Sequence, residues 1–377
     1  MSELARSAGL LGTQRIVLVV LGAVRTKIAA YLLGPAGLGI LAQASALREL
    51  LAVVCQLGSR SGYVDMVSDA HERGDGAALR DAMLAVLSIV GMMSTLVGFV
   101  VVLQAPRVAQ WAFADPGRTG LVLLALVTVV LAVPRRALSN TFLGVLDYRS
   151  LLWIGVAESI VAIVAMALLA RWFGVAGAVA SFLCIEVVAL GAAWWLLRRR
   201  VLRPMGISLR GPRPRRQAVV GLLRLAGALS ATALVSAGAV FFVRGEILDR
   251  LGAEANGFYQ VAWQVGQNYL GMVGVVLWGY GLPKVTRTRA TPGEVLRLQN
   301  ELFRLIVALL PPGVIVLLVL QEFWIPLLFS EAFLPAARRN SGAAHARDLR
   351  LSESSRYPKT RRWYPQETTH ITRLEAR

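Results

Sequence analysis

Apolar stretches of about 20 residues recur along this chain, and each is long enough to cross a hydrocarbon core of about 30 Å as a helix. That run length narrows the fold more than any other feature. The 377-residue chain is 56% hydrophobic and only 16% charged, whereas soluble domains carry about 25% charged residues. The expectation is an all-α polytopic membrane protein whose helices pack against one another and against lipid. About nine transmembrane helices are predicted, near residues 9–33, 37–57, 82–103, 119–134, 150–170, 174–197, 218–243, 257–282 and 302–320. The first run is too long for a cleavable signal and has no small-residue cleavage site after it, so it reads as the first span. Cys55 and Cys184 each lie inside an apolar run, offer no CxxC, and read as buried small hydrophobes.

The formal charge of +18 is concentrated between the spans. With the N-terminus in the cytoplasm, the inside connections carry 20 Lys/Arg and the outside ones five. That imbalance gives an N-in, multi-pass topology by the positive-inside rule and leaves no basic surplus that calls for nucleic acid. The stretch RRRVLRPMGISLRGPRPRRQ (198–217) holds eight arginines. It reads as a topology anchor, with anionic lipid headgroups as the sharper alternative. The expected organisation is a six-helix bundle over 1–200, a basic cytoplasmic linker at 201–217 and a partial second bundle of about three helices at 218–337. Residues 338–377 have no apolar run and many Arg, Ser and Thr, so they read as a disordered tail. With 37 Arg against 3 Lys, a GC-rich gene read out of frame would give such text. A weak internal repeat joins the halves: Leu33-Gly34-x4-Gly39-Ile40-x2-Gln43 and Leu251-Gly252-x4-Gly257-Phe258-Tyr259-Gln260. Parallel repeats of this kind are a transporter plan.

An ionisable residue at mid-bilayer costs about 2.5–3.5 kcal/mol, so it faces a partner or a water-filled lumen. The candidates are Arg15, Arg25, Lys27, Arg48, Glu49, Glu158, Glu186 and Arg224. Ser45, Arg48, Glu49, Gln56 and Ser59 fall within about 100° on one helical face. That stripe either lines a cavity or hydrogen-bonds to a neighbouring helix. On the first span Gln14, Arg15, Gly22, Arg25 and Thr26 share a face, while Lys27 points roughly 160° away from Arg25. Either cation near the span's end can instead snorkel to the interface. Glu158 and Glu186 supply charge balance or ion coupling. No H-E-x-x-H, G-x-S-x-G or Walker loop occurs, so neither catalysis, a metal nor a nucleotide cofactor is expected.

Four pieces carry a family resemblance. KIAAYLLGPAGLG (27–39), Phe173-Gly174-x2-Gly177-Ala178, Arg244 followed by Gly257-Phe258-Tyr259-Gln260, and Leu282-Pro283-Lys284-Val285-Thr286-Arg287 resemble, in order, motifs of the Wzx-type polysaccharide translocases. These belong to the MATE-like flippase superfamily. The resemblance spans about residues 5–337 and implies a MATE-like two-bundle transporter with an incomplete second bundle around a cationic cavity. It implies alternating access, with ion-gradient coupling. The implied substrate is an undecaprenyl-pyrophosphate-linked oligosaccharide, flipped across the bacterial inner membrane for O-antigen, lipopolysaccharide or exopolysaccharide assembly. Membrane lipids and other polysaccharide-assembly proteins are the implied partners. Lys27 and Arg244 match family positions; Arg25, Arg15, Arg48 and Arg224 join the expected substrate-binding set from span geometry, with Glu49, Glu158 and Glu186 as balancing acids. The competing readings are a MATE-like drug or lipid II exporter, an inactive remnant of a flippase, and a membrane glycosyltransferase. The last would need a large extramembrane loop with paired carboxylates.

Overall fold

The computed structural model of the chain describes residues 2–209, 214–276 and 292–334. Their regular structure is helical: α1 (Ser2–Gln56), α2 (Arg60–Glu72), α3 (Gly76–Leu103), α4 (Ala105–Phe113), α5 (Thr119–Gly144), α6 (Tyr148–Leu197), α7 (Arg216–Val276), α8 (Pro292–Val319) and α9 (Gln321–Leu328). Among the described residues six helices are long and apolar enough to cross a membrane. The Leu282–Arg287 motif, the end of the span expected near 257–282, and the tail 338–377 lie outside the described residues.

Helices α1, α6 and α7 run for 55, 50 and 61 residues. Straight, each would exceed about 70 Å, more than twice a bilayer core. Each instead folds back at a glycine in the positive-φ region, Gly34 (φ 63), Gly174 (φ 57) and Gly252 (φ 86), where a side chain would be strained. Side-chain contacts demonstrate the reversal. Glu158 and Glu186 both reach Arg135, although 28 positions on a straight helix span about 42 Å. Arg244 donates to Gln260 at 2.6 Å across the Gly252 turn. The turns fall between paired apolar runs because Gly-Pro, Phe-Gly and Leu-Gly punctuate the sequence there.

The weak repeat has a packing reason. A Cβ on Gly39 would strike the Ala253 carbonyl just past the Gly252 turn. A Cβ on Gly257 would strike the Pro35 carbonyl just past the Gly34 turn. The two motifs therefore clasp each other reciprocally, backbone on backbone. Buried Asn256 adds a bond to the Gly39 carbonyl at 2.8 Å, and buried Gln43 adds one to the Phe241 carbonyl at 3.4 Å.

Two expectations need correction. The fourth span does not stop at Pro134. Helix α5 continues through Arg135 and Arg136 to Gly144, so those arginines are helical and not loop residues. Proline removes one backbone bond there, and the two guanidiniums have acidic partners on neighbouring helices, which is what lets the helix carry them. Cys55 is buried, but Cys184 is exposed. It lies on the outward face of α6 beside exposed Val187 and Val188.

At the end opposite the glycine turns, the basic stretch is tied to the first half of the chain. Arg200 pairs with Asp147 at 3.2 Å, Arg80 donates to the Ser208 carbonyl at 2.9 Å, and Arg215 pairs with Asp81 at 3.4 Å. Asp147 also caps α6, accepting from the Ser150 amide at 3.1 Å and hydroxyl at 2.5 Å. Burial acts to raise this carboxyl, but the Ser150 bonds and Arg200 outweigh it and hold the group below the ordinary aspartate range.

Candidate functional site

The polar stripe on the second arm of α1 meets acids and bases from α5 and α6. Arg48 donates to Glu186 at 3.0 Å, and Arg135 reaches the other Glu186 oxygen at 2.5 Å. Arg135 also holds Glu158 at 2.6 Å. Arg136 takes both oxygens of Glu49, at 3.0 and 2.6 Å, in a fork-on-fork pair. Three arginines thus face three glutamates, and the set is formally neutral. Glu186 is its buried centre at 2% exposure; Glu49 is its open edge at 47%. Arg48 also lies over the Phe182 ring at 4.6 Å. Arg48 and Glu49 of the stripe bond to neighbouring helices, Glu49 while also lining a cavity, and Glu158 and Glu186 lie against arginines. Arg135 and Arg136 were missed as members of this network because a double arginine after an apolar run looks like a topology signal.

A second polar chain links the two halves. Arg244 donates to Gln260, Gln260 donates to Gln264 at 3.2 Å, and Gln264 donates to Thr26 on α1 at 2.7 Å. Thr26 closes the chain on the Gly22 carbonyl at 2.9 Å. Every donor and acceptor runs the same way, so each amide is fixed by its neighbour. Arg244 is 2% exposed and sits near two rings, 5.1 Å from Tyr259 and 5.9 Å from Trp263. Its Nη1 is buried with no hydrogen-bond partner among the described residues. Gln260, Gln264 and Gln267 follow i, i+4, i+7 spacing. That spacing was visible in the sequence as one helical face, and it went unread.

Between α1 and α7 lies a cavity of about 560 Å³, lined by Ser45, Glu49, Ser236, Arg244, Gln260, Trp263 and Gln267 among small apolar residues. A smaller recess of about 60 Å³ shares Ala42, Ser45 and Gln260 with it and carries Arg25, Thr26 and Gln264 on its wall. No hydrogen bond or ion pair engages Arg25 among the described residues. Lys27 turns the other way: it is exposed, and its Nζ donates to the Leu327 carbonyl of α9 at 3.0 Å. Arg224 is exposed and lines neither cavity, and Arg15 lies on α1 with its side chain outside the described residues. The structure therefore brings Arg25 and Arg244 to adjacent cavities and places Lys27, Arg48 and Arg224 elsewhere.

The cavity is closed at one end. Its walls, from Ala42 to Val53 and from Arg244 back to Ala233, begin about 12 Å and end about 28 Å from their glycine turns at 1.5 Å per residue. The clasp of Gly39, Ala253, Gly257 and Pro35 lies above it, on the turn side.

Helical hairpins meeting at one end over a cavity between two halves define a MATE-like transporter fold. A solved structure described as an inward-facing conformation of a multidrug resistance MATE family transporter of the MOP superfamily is similar at a TM-score of 0.61 and 18% identity. That likeness covers 87% of this chain and 78% of the other. The crystal structure of a MATE point mutant is similar at a TM-score of 0.57 and 17% identity, covering 88% and 77%. The family profile for polysaccharide biosynthesis proteins matches residues 28–338, and the chain belongs to that family. No curated protein matches the chain. The chain is a multi-pass membrane protein with a MATE-like fold.

Proposed function

We propose that this chain is a flippase for undecaprenyl-pyrophosphate-linked oligosaccharides, working by alternating access in the bacterial inner membrane with its N-terminus cytoplasmic. One observation carries the reading: Arg25 stands unengaged among the described residues in the wall of the small recess beside the cavity between the halves. A guanidinium in a low-dielectric recess binds phosphate oxygens through a fork of donors. Arg48 is committed to Glu186 and Lys27 to the Leu327 carbonyl, so the anion falls to Arg25. In the N-in topology the glycine-turn clasp faces the periplasm and the cavity opens toward the cytoplasm, where the lipid-linked substrate is made.

The test is binding of undecaprenyl pyrophosphate to the full chain in lipid nanodiscs. Arg25→Gln is expected to weaken binding about tenfold or more, the loss of one charge-assisted contact of roughly 1.5–3 kcal/mol. Lys27→Gln is expected to change it less than about fivefold, since an exposed contact contributes under about 1 kcal/mol. Equal losses in both variants, or none in Arg25→Gln, would overturn the assignment.

A further inference from the structure

Past Gly174, the second arm of α6 presents a stripe to the outside of the molecule. Val187, Leu190, Gly191 and Trp194 follow i, i+3, i+4, i+7 spacing, and Arg198 continues it at i+11. All five fall within about 100° on one helical face. Val187 is 54% and Trp194 43% exposed. Leu131 and Leu138 of α5 stand beside them, and the two helices enclose an outward-facing groove of about 470 Å³. Its walls are apolar throughout, and its floor is open at Gly191, where a Cβ would meet nothing within 4 Å. Arg198 is exposed, and no hydrogen bond or ion pair engages its guanidinium among the described residues. Arg199 lies over the Trp195 ring at 5.4 Å. We infer that the groove and Arg198 bind one anionic phospholipid, with an acyl chain between α5 and α6 and the phosphate on the guanidinium.

Length, depth and charge select that occupant. An apolar groove on the outer face of a membrane helix takes hydrocarbon, since an empty one forfeits dispersion contacts along its walls. From Val187 to Arg198 is 11 positions, about 16 Å, roughly half a hydrocarbon core and so the depth of one leaflet. The groove ends where a headgroup lies: α6 stops at Leu197, and exposed Trp194 and Trp195 mark the interface at which indoles gather. Every phospholipid carries a phosphate that a guanidinium can take through its fork of donors. A choline headgroup, however, would bring a second cation against Arg198 and Arg199, and a glycerol headgroup brings none. Asp147, the acid that engages the next arginine, is already occupied by Arg200 at 3.2 Å. The site lies at the end opposite the glycine turns, and none of its residues lines either cavity described above. It therefore stands or falls independently of the flippase reading.

The test is native mass spectrometry of the full chain in detergent, titrated with phosphatidylglycerol and with phosphatidylcholine bearing the same acyl chains. Wild type is expected to bind phosphatidylglycerol about fivefold or more tightly, the effect of roughly one basic residue beside an anionic headgroup. Arg198→Gln is expected to bring the two affinities together. Gly191→Leu, which fills the groove, is expected to lower the phosphatidylglycerol affinity by a similar factor. Arg149→Gln removes an exposed charge from the start of α6 and is expected to leave both affinities unchanged. Thermal midpoints check that Gly191→Leu folds, and Arg198→Gln alters only an exposed side chain. No headgroup preference in wild type, or equal losses in Arg198→Gln and Arg149→Gln, would show diffuse charge attraction and overturn the site. Unchanged binding in a folded Gly191→Leu chain would overturn the groove as the seat of the acyl chain.

Discussion

Replacing Glu186 by glutamine tests whether the intramembrane network is the electrostatic keystone of the first half. Glu186 is 2% exposed and receives Arg48 at 3.0 Å and Arg135 at 2.5 Å on different oxygens. Glutamine is nearly isosteric but keeps one acceptor, and its amide hydrogens face a guanidinium. Arg135 retains Glu158 at 2.6 Å. Arg48 retains only the Phe182 ring, and its Nε is already buried without a hydrogen-bond partner. Removing one partner of a buried ion pair costs about 3–5 kcal/mol, a shift of roughly 10²–10⁴ in the folded-to-unfolded ratio. The control is Glu49→Gln, where 47% exposure limits the loss to about 1 kcal/mol. Reversible unfolding in mixed micelles measures both. The Arg48→Gln, Glu186→Gln double-mutant cycle is expected to show a coupling above about 1 kcal/mol. Equal losses at Glu186 and Glu49, or additive effects of Arg48 and Glu186, would refute the burial-based ranking.

Three further outcomes are expected. Asp147 lies below the ordinary aspartate range in the folded chain, so its contribution is present above the unfolded value and is lost as pH falls through the folded one. The stability gap between wild type and Asp147→Asn, about 1 kcal/mol at neutral pH for the charge lost from the cap and from the Arg200 pair, should therefore close in acid; a pH-independent gap would contradict this. Gly257→Ala is expected to destabilise by about 1–3 kcal/mol, because the new methyl meets the Pro35 backbone carbonyl. Gly22→Ala, with open space around it, should be neutral or stabilising by comparison in the same thermal assay. Asn256→Leu leaves the Gly39 carbonyl without its 2.8 Å bond and is expected to loosen the clasp, read as faster labelling of a cysteine placed at Ala253.

Much of the architecture was legible because lipid imposes so coarse a code. Twenty apolar residues mark a span whatever packs against it, and Gly34, Gly174 and Gly252 announced three of the reversals. The docking of the basic stretch was not legible, since it depends on distant partners such as Ser208 for Arg80, 128 residues away. Arg135 and Arg136 show the deeper limit. Charge density beside a span reports topology only when the charges stay in water. Here two arginines stay helical because Glu49, Glu158 and Glu186 sit on adjoining helices at the same depth. The sequence held the acids and the bases, but only the fold sets their heights level.

That matching of heights decides which cations remain for a ligand. A stripe of arginines along a lumen suggests a chamber of fixed positive charge, yet a guanidinium already held by a carboxylate offers little to an incoming phosphate. Of the cations read as substrate contacts, Arg48 is bound to Glu186 and Lys27 to a backbone carbonyl, and Arg224 faces away from both cavities. Among the described residues, Arg25 and the buried Nη1 of Arg244 are left without hydrogen-bond partners. They stand on opposite halves, joined through Thr26, Gln264 and Gln260. A substrate engaging Arg25 would load that hydrogen-bond chain, and any rocking that parts Thr26 from Gln264 would change how Arg244 is held. In the proposed flippase reading, binding and movement of the halves would be coupled through two glutamines, while the larger arginine–glutamate network lies wholly within the first half.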